Sequence, residues 1–142
     1  MKRSALISEI AVDLASFKRV VMASHAKKFF GRMPTPAQVG ILALIAHEGP
    51  QNLKDLADRL CMSSSAATQL VNGLVRDRLL TRTEDATDRR RIRLAITVSG
   101  KSKLAGAKKA RMATLTKLLA PLSEHELNEW KRLQRKIIER AS

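Results

Sequence analysis

Residues 63–100 read SSSAATQLVNGLVRDRLLTRTEDATDRRRIRLAITVSG, and the hydrophobic period changes partway along this stretch. The first part has apolar residues at three- and four-residue steps, which predicts an amphipathic helix. These residues are Ala67, Leu70, Val71 and Leu74. Leu80, Arg82 and Glu84 then lead into an acidic and basic turn over residues 85–91. The last part alternates, with Ile92, Leu94, Ile96 and Val98 on one face and Arg93, Ala95 and Thr97 on the other. This pattern predicts a helix followed by a two-stranded hairpin with arginines at its tip.

A short helix is predicted directly before this stretch. Asn52 is a good N-cap, and a short apolar face follows it, formed by Leu53, Leu56, Ala57 and Leu60. A turn through Cys61 and Met62 then reaches Ser63, which caps the next helix. Two short helices joined by so tight a turn indicate a helix-turn-helix. With the hairpin, the sequence predicts a winged helix-turn-helix, whose second helix can enter the major groove of DNA.

The flanking segments are predicted to be helical. Apolar residues from Leu6 to Val21 recur at helical spacing, which predicts one amphipathic helix from about residue 4 to residue 30. Thr35 and Gln38 form a capping box at the start of the next helix, and Pro36 suits its first position; residues 49–50, Gly-Pro, end this helix. After the hairpin, a helical region begins at residue 99 or 100, breaks at Pro121 and restarts at residue 123.

The predicted fold class is therefore mainly α with a small β-hairpin. We expect a single domain over residues 1–142, with the DNA-binding winged helix-turn-helix at residues 35–100. The helices of residues 1–34 and 101–142 would expose wide apolar stripes if left alone, so we expect them to be dimerisation helices that pack on a second copy.

The charge balance indicates the kind of partner. The chain has 142 residues, with 27 Lys and Arg against 13 Asp and Glu, a formal net charge of +14. Such an excess favours a polyanion such as double-stranded DNA, although an ordinary basic soluble protein is the alternative. Runs of about 18 apolar residues are absent from the sequence, so no membrane-spanning helix is expected. The single cysteine, Cys61, excludes an intramolecular disulfide and fits a reducing cytoplasm.

On these residues the chain resembles the MarR family of winged-helix transcription regulators. The most diagnostic part is Asp-Arg-Arg at the hairpin tip, followed by a strand and then Thr-x-x-Gly. The residues that carry the resemblance are Leu56, Ala57, Leu60, Ser63, Ser65, Thr68, Leu70, Val71, Leu74, Leu79, Leu80, Arg82, Asp85, Asp88, Arg89, Arg90, Leu94, Thr97 and Gly100. The resemblance implies a homodimer on a near-palindromic operator that usually represses nearby genes. Many family members release DNA when a small aromatic acid or phenol binds, and others respond to cysteine oxidation.

The sequence departs from the family pattern at four positions. Arg78 stands where glycine is usual, and if this residue is left-handed it costs roughly 1 kcal/mol. Cys61 stands where a small, glycine-like residue is common. Gln69 and Gly73 stand where basic side chains are frequent, so no particular base contact is carried over from the family.

The candidate DNA-binding residues lie on the second helix and the hairpin. They are Ser63, Ser64, Ser65, Ala66, Thr68, Gln69, Asn72, Arg76, Arg82, Asp88, Arg89, Arg90 and Arg91. Gln69 or Asn72 can pair with adenine, and the methyl groups of Ala66 and Thr68 suit a thymine methyl. The hydroxyls and the helix N-terminus suit phosphate, unless the serines only cap and solubilise the helix.

The arginines after this helix can either contact DNA or form a solvated, charged surface. Of Arg76, Arg78 and Arg82, one or two are expected on phosphate, and a solvated face is the alternative. The three tip arginines, residues 89–91, suit the strong negative potential of a narrow minor groove, whereas the alternative is an exposed charged turn. By resemblance, Asp88 pairs with a nearby arginine and orients the tip.

Several other features of the sequence resemble ligand, nucleotide, metal or redox sites. A ligand pocket beside the first helix is one interpretation and plain core packing is the other, for Phe17, His25, Phe29, Phe30, Met33 and Met112. Residues 99–102, Ser-Gly-Lys-Ser, resemble a phosphate-binding loop, but Ala95 stands where that motif needs glycine. The histidines lack zinc spacing, so no metal is expected. Cys61 is more simply a small buried turn residue than a redox switch.

The sequence thus predicts a sequence-specific DNA-binding regulator without a cofactor, and the resemblance implies that it is a homodimeric repressor with a small aromatic or phenolic effector. The alternative is a largely nonspecific architectural DNA-binding protein, which the net charge favours. An enzyme is not expected, because the sequence shows no nucleophile with a base, no metal cluster and no paired carboxylates.

Overall fold

The structure of the protein, a computed structural model, describes residues 2–26 and 33–141, with only the backbone described for residues 24–26. Within these residues the chain forms six helices and one antiparallel hairpin, which confirms the predicted mainly α fold class. The helices are α1 (Arg3–Ala26), α2 (Pro36–Glu48), α3 (Leu53–Arg59), α4 (Ser64–Arg76), α5 (Val98–Leu119) and α6 (Glu124–Ala141). The strands of the hairpin are β1 (Leu80–Glu84) and β2 (Ile92–Ile96).

Helices α2, α3 and α4 begin at the capping residues that the sequence predicts. Thr35 Oγ1 accepts from the backbone N–H of Gln38 at 3.2 Å, and Gln38 Oε1 accepts from the Thr35 N–H at 3.0 Å, which completes the capping box. Asn52 and Ser63 each accept from the N–H three residues ahead, at 2.8 and 3.1 Å. These side chains satisfy donors that the first helical turn leaves without partners, so each helix start is defined locally.

The chain separates into two units, residues 26–109 and residues 1–25 with 110–142. The first unit holds α2, α3, α4, the hairpin and the start of α5 around one apolar core. This core consists of Ile41, Leu42, Ile45, Leu56, Val71, Leu74, Leu79, Leu80, Leu94 and Leu104. Each of these side chains contributes roughly 1.5–3 kcal/mol by its removal from water, and together they fix α4 and the hairpin to one support.

The hairpin is attached to this support along β2. Its register pairs Leu80 with Ile96, Arg82 with Leu94 and Glu84 with Ile92. On the other edge of β2, Gln51 forms an isolated bridge, because its N–H donates to the Leu94 carbonyl at 3.1 Å and its carbonyl accepts from the Leu94 N–H at 2.7 Å. The buried Leu94 is thus held on both sides, and the distal part of the hairpin extends from a fixed base.

The prediction that residue 98 continues the second strand is wrong. Val98 is the first residue of α5 and is 86% exposed, and Ile92 is also 54% exposed. The strand ends at Ile96 because the Thr97 hydroxyl accepts from the Gly100 N–H at 2.9 Å and so caps the helix that follows. Helix α5 therefore begins one or two residues earlier than the sequence predicts.

The second unit contains α1, the later part of α5, and α6. In it the ring of Phe17 meets that of Trp130 edge to face, with centroids 5.8 Å apart. A capping box begins α6, since Ser123 Oγ accepts from the Glu126 N–H at 3.3 Å and the Ser123 N–H donates to Glu126 Oε2 at 2.8 Å. This backbone hydrogen bond, followed by one from the Ser123 hydroxyl, lowers the pKa of Glu126. The predicted residues 27–30 of the first helix lie outside the described part.

Candidate nucleic-acid interface

One face of α4 is buried and the opposite face is exposed. Ala67, Val71 and Leu74 are buried in the core. Ser65, Gln69, Asn72 and Arg76 follow one another at steps of four, three and four residues and are all exposed, as is Ser64 in the first turn. This spacing places the exposed side chains along one side of the helix, which we call the α4 polar stripe, residues 65, 69, 72 and 76. It is the part of the helix available to a groove of DNA.

Two hydroxyls near the start of α4 are used within the helix itself. Ser63 accepts from the Ala66 N–H as N-cap, and the Thr68 hydroxyl donates to the Ser64 carbonyl at 2.8 Å. Ala66 and Thr68 are half-buried. The Thr68 methyl group, rather than its hydroxyl, is therefore the part left for a partner, as a contact with a thymine methyl would need. Ser64 and Ser65 are the exposed hydroxyls at this end.

A hydrogen bond joins the polar stripe to the hairpin. Arg82 of β1 donates from Nη2 to Asn72 Oδ1 of α4 at 2.6 Å. Arg82 lies directly opposite the buried Leu94 in the hairpin register. Of the arginines after α4, Arg76 lies 3.7 Å from the Asp77 carboxylate, measured from Nε to Oδ1, and Arg78 is exposed.

Asp85 organises the base of the hairpin tip. Its Oδ1 accepts from both the N–H and the hydroxyl of Thr87 at 2.9 Å, and its Oδ2 accepts from Arg93 Nε at 3.0 Å. Its own N–H donates to the Arg91 carbonyl at 2.9 Å. The Asp85 side chain is only 11% exposed. The hydrogen bonds from Thr87, first from its backbone and then from its hydroxyl, lower the pKa of Asp85, and Arg93 lowers it further.

Asp85 and Arg93 are not among the residues that the sequence marks as candidates for DNA binding. The Asp-x-Thr spacing is the signal that points to this turn, because an aspartate that accepts from the N–H two residues ahead forms an Asx-turn. Arg93 has no comparable local signal, since its pairing with Asp85 depends on the register of the two strands.

Asp88 holds the tip itself. Its Oδ1 accepts from the Arg90 N–H at 3.0 Å, and its Oδ2 lies 3.8 Å from Arg91 Nε. The Arg91 N–H donates to the Asp88 carbonyl at 2.9 Å, which closes the turn. Asp88 thus pairs with an arginine of the tip, and the arginines of the tip, residues 89–91, are all exposed. The tip presents cationic side chains on a turn of defined backbone geometry.

Replacing Asp85 with asparagine should lower the free energy of unfolding at neutral pH, because the neutral amide cannot replace the carboxylate that accepts the charge-assisted bond from Arg93. The folded-state pKa of Asp85 is lowered, so the ionised carboxylate stabilises the fold above its unfolded pKa, about 4, and this contribution disappears as pH falls through the lowered folded value. Urea unfolding of both proteins between pH 7 and pH 3 should show a difference that is constant above about pH 5 and shrinks at lower pH. Parallel stability curves across this whole range would contradict the assignment.

The junction of α4, the hairpin and α5 is closely packed. The Thr97 hydroxyl lies 2.8 Å from the Arg78 carbonyl oxygen and 3.1 Å from the Leu79 carbonyl oxygen. The Thr97 N–H also donates to the Leu79 carbonyl at 3.1 Å. A Cβ atom at Gly100 would stand 2.2 Å from this Leu79 oxygen. These contacts explain the Thr-x-x-Gly pattern: the threonine caps α5, and the glycine lets α5 pass the backbone at Leu79.

Arg78 has a left-handed backbone, with φ of 60°. A side chain with a Cβ costs roughly 1 kcal/mol in this conformation, and glycine avoids the cost. Arg78→Gly should therefore raise the free energy of unfolding by about 1 kcal/mol, measured by urea denaturation at fixed protein concentration. Arg78→Ala is the matched control, because it removes the same charge and keeps the Cβ, so it should leave stability nearly unchanged. Equal stability of the two variants would show that the backbone strain is relieved in another way.

The prediction that Cys61 is a small buried residue is wrong. Cys61 is exposed and left-handed, with φ of 51°. It stands between α3 and α4, where its N–H donates to the Asp58 carbonyl at 3.2 Å and the Met62 N–H donates to the Ala57 carbonyl at 3.0 Å. The left-handed turn, rather than burial, is therefore the structural constraint at this position.

The structure describes only part of the candidate ligand-pocket set. Phe17 packs on Trp130, Met112 is 65% exposed, and both belong to the unit of residues 1–25 and 110–142. Met33 is half-buried in the other unit. Phe29, Phe30 and the His25 side chain lie outside the described residues. In residues 2–26 and 33–141, no group of three His, Cys, Asp or Glu side chains is placed to hold a metal ion, and none of the helices there could span a lipid bilayer.

Comparisons with known proteins agree with this geometry. The family model MarR_2, described as the MarR family, matches residues 34–91, from just before α2 to the hairpin tip. The HTH-type transcriptional repressor MdtR of Bacillus subtilis is 28% identical over 122 residues, which cover 86% of this chain and 79% of that protein. The crystal structure of the transcriptional regulator Tm0710 from Thermotoga maritima superposes with a TM-score of 0.68 at 29% identity, and covers 94% of this chain and 96% of that one.

A third similarity concerns the fold alone. The PcaV transcriptional regulator from Streptomyces coelicolor, whose structure was determined in complex with its natural ligand, has a TM-score of 0.70 at 20% identity over 100% of this chain and 98% of that one. The matched proteins are transcription regulators and not enzymes, which confirms the expectation that the chain is not an enzyme.

Proposed function

Because this chain belongs to the MarR family of winged-helix transcription regulators, we propose that it is a sequence-specific, homodimeric DNA-binding regulator. The observation that carries the proposal is the pairing of two exposed surfaces on one core. The α4 polar stripe offers amide and hydroxyl groups, and the hairpin tip offers the exposed arginines of residues 89–91. Helix α4 would lie in the major groove, and the tip would reach the neighbouring minor groove.

A homodimer is proposed from exposed apolar side chains in the unit of residues 1–25 and 110–142. These side chains are 48% to 70% exposed within one protomer. They are Leu6, Ile7, Ile10, Leu14, Leu133, Ile137 and Ile138. Monomeric soluble proteins rarely expose so many large apolar side chains on a few helices. A second copy that covers them would present two α4 helices related by a two-fold axis. The proposed operator is therefore a near-palindrome with two half-sites.

Selection of bound sequences from random duplex DNA tests this proposal. We expect an enriched motif with two inverted half-sites whose centres lie one helical turn, about 10 base pairs, or a multiple of it apart. Sedimentation of the free protein at micromolar concentration should show a dimer. Enrichment of a single half-site without symmetry, or of no motif at all, would contradict the proposal.

Repression and release by a ligand are the finer part of the proposal. MdtR is named a repressor, and the regulator PcaV was crystallised with its natural ligand. We propose that this chain represses transcription and that a small aromatic acid or phenol lowers its affinity for the operator. The test is a titration of the operator complex with benzoate, salicylate and phenol as probes. Release at a concentration that leaves a nonspecific protein–DNA complex intact would support the proposal.

The second candidate function is nonspecific, architectural DNA binding. The net charge of +14 favours it, as do the short polar side chains of the α4 stripe, which include one serine and two amides but only one arginine. Competition with random duplex at fixed salt separates the two functions. A specific regulator should retain its operator against about a thousandfold excess of random DNA, whereas an architectural protein should lose it in proportion to the competitor.

A further inference from the structure

The hydrogen bond between Asn72 and Arg82 connects the two elements that are proposed to meet DNA. Arg82 Nη2 lies 2.6 Å from Asn72 Oδ1, so the charged guanidinium donates directly to the side-chain amide oxygen. The two residues are ten positions apart, and both are exposed. Surface side chains ordinarily sample many rotamers, and this hydrogen bond restricts both of these side chains to one arrangement.

Both ends of this bond rest on rigid backbone. Asn72 lies in α4 between the buried Val71 and Gly73. Arg82 is paired in the hairpin with Leu94, whose side chain is 3% exposed. The side-chain amide oxygen of Asn72, Oδ1, thus holds the Arg82 guanidinium at a defined place between the helix and the hairpin. Because a guanidinium has five N–H donors and this bond uses one, donors remain for a further acceptor.

A helix in the major groove and a hairpin tip in the neighbouring minor groove are separated by one sugar–phosphate strand. Arg82 belongs to β1 and its side chain is bonded to α4, so its guanidinium lies between the helix and the hairpin, where that sugar–phosphate strand would pass. We infer that Arg82 binds the backbone phosphate that crosses between the helix and the hairpin, and that Asn72 is a positioning residue that orients Arg82 for this contact. The inference rests on the proposed function, since it assumes that both elements face one duplex.

This role changes the expectation for base recognition by Asn72. Bidentate recognition of adenine requires both the carbonyl oxygen and the amide nitrogen of an asparagine. In the structure the Asn72 oxygen accepts from Arg82, so Asn72 is not the adenine reader. Gln69 is the other amide of the α4 polar stripe, and it retains the geometry for that contact. An arginine that is oriented before binding also loses less side-chain entropy when it meets the phosphate.

The test is a double-mutant cycle on the selected DNA site with Asn72→Ala, Arg82→Ala and the double variant. Arg82→Ala should weaken binding about tenfold and reduce the slope of log affinity against log salt by about one per protomer. Asn72→Ala should weaken binding about threefold, without changing the preferred base at any position. The double variant should bind as Arg82→Ala does, because Asn72 acts through Arg82.

Thr81→Ala is the control, because Thr81 is an exposed neighbour on the opposite face of the same strand and should leave affinity and salt slope unchanged. Thermal unfolding verifies that each variant is folded. Multiplicative effects of the two single substitutions would overturn the inference, as would a loss of preference for one base pair in Asn72→Ala. Unaltered binding by either single variant would overturn it too.

Failure of the proposed function gives a different result. A wild-type protein that binds random duplex as tightly as any selected site would contradict sequence-specific regulation. In that case the double-mutant cycle can be measured on the random duplex and still tests the role of Asn72 and Arg82. The same non-additive effects and the same loss of salt slope for Arg82→Ala are expected there.

Discussion

Replacing Gly100 with alanine should lower the free energy of unfolding by about 3 kcal/mol or more, which is the largest effect on stability that we expect for a single methyl group. The new Cβ would stand 2.2 Å from the Leu79 carbonyl oxygen and 2.7 Å from Ile96 Cγ1. The Leu79 carbonyl cannot move easily, because it also accepts from the Thr97 N–H. The first turn of α5 would have to move away from the hairpin, and the cap at Thr97 would be lost.

Gly106→Ala is the matched control for this substitution. Gly106 lies in the same helix, and a Cβ atom there would meet nothing within 4 Å in the protomer. Alanine should therefore stabilise the helix at this position by up to about 1 kcal/mol. Urea denaturation of both variants at one protein concentration should give effects of opposite sign. Equal effects would show that the close approach at Gly100 does not limit the packing of α5.

Replacing Arg90 with alanine should weaken operator binding about tenfold or more while the fold is retained. The Arg90 side chain is exposed at the tip, and only its backbone N–H takes part in the turn, as a donor to Asp88. Alanine preserves this N–H, so the tip keeps its shape and loses one cation. The loss is large because an arginine in a narrow minor groove meets a concentrated negative potential.

Arg135→Ala separates this effect from a change in net charge. Arg135 is an exposed arginine of α6, so its removal lowers the net charge of each protomer by the same amount. A binding titration at fixed salt should show a much smaller change for Arg135→Ala than for Arg90→Ala. Equal changes would indicate that the tip acts only through overall charge, and an unchanged affinity of Arg90→Ala would exclude a groove contact.

The base and the tip of the hairpin have different roles. Gly100, Thr97 and Arg78 fix where the hairpin leaves the core, whereas Asp85 and Asp88 fix the shape of its tip. Of the tip arginines, Arg91 lies beside the Asp88 carboxylate, and the backbone turn that Asp88 closes holds the tip arginines, residues 89–91, together near a groove. This division explains why acidic residues belong in a surface that binds a polyanion: their carboxylates accept from the backbone and from neighbouring arginines.

Local patterns predicted the elements of this surface well. The caps at Thr35, Asn52 and Ser63 follow from hydrogen bonds that span three residues, so the sequence alone is sufficient to identify them. Of the periodic apolar positions of α4, Ala67, Val71 and Leu74 are buried as predicted, and Leu70 is half-buried against the same core. The exposed turn at Cys61 was mispredicted because small size was attributed to burial, whereas the backbone there is left-handed.

The amino-acid sequence by itself determined the order of the elements, the apolar face of α4 and the cationic tip, because each depends on interactions within a few residues. Only the tertiary structure decided that Asn72 meets Arg82, that Arg93 meets Asp85 and that Gly100 passes against the Leu79 carbonyl. These contacts join residues eight to twenty-one positions apart in separate elements, or in strands whose register sets them. Their geometry arises from packing on a shared core, which no local period in the sequence encodes.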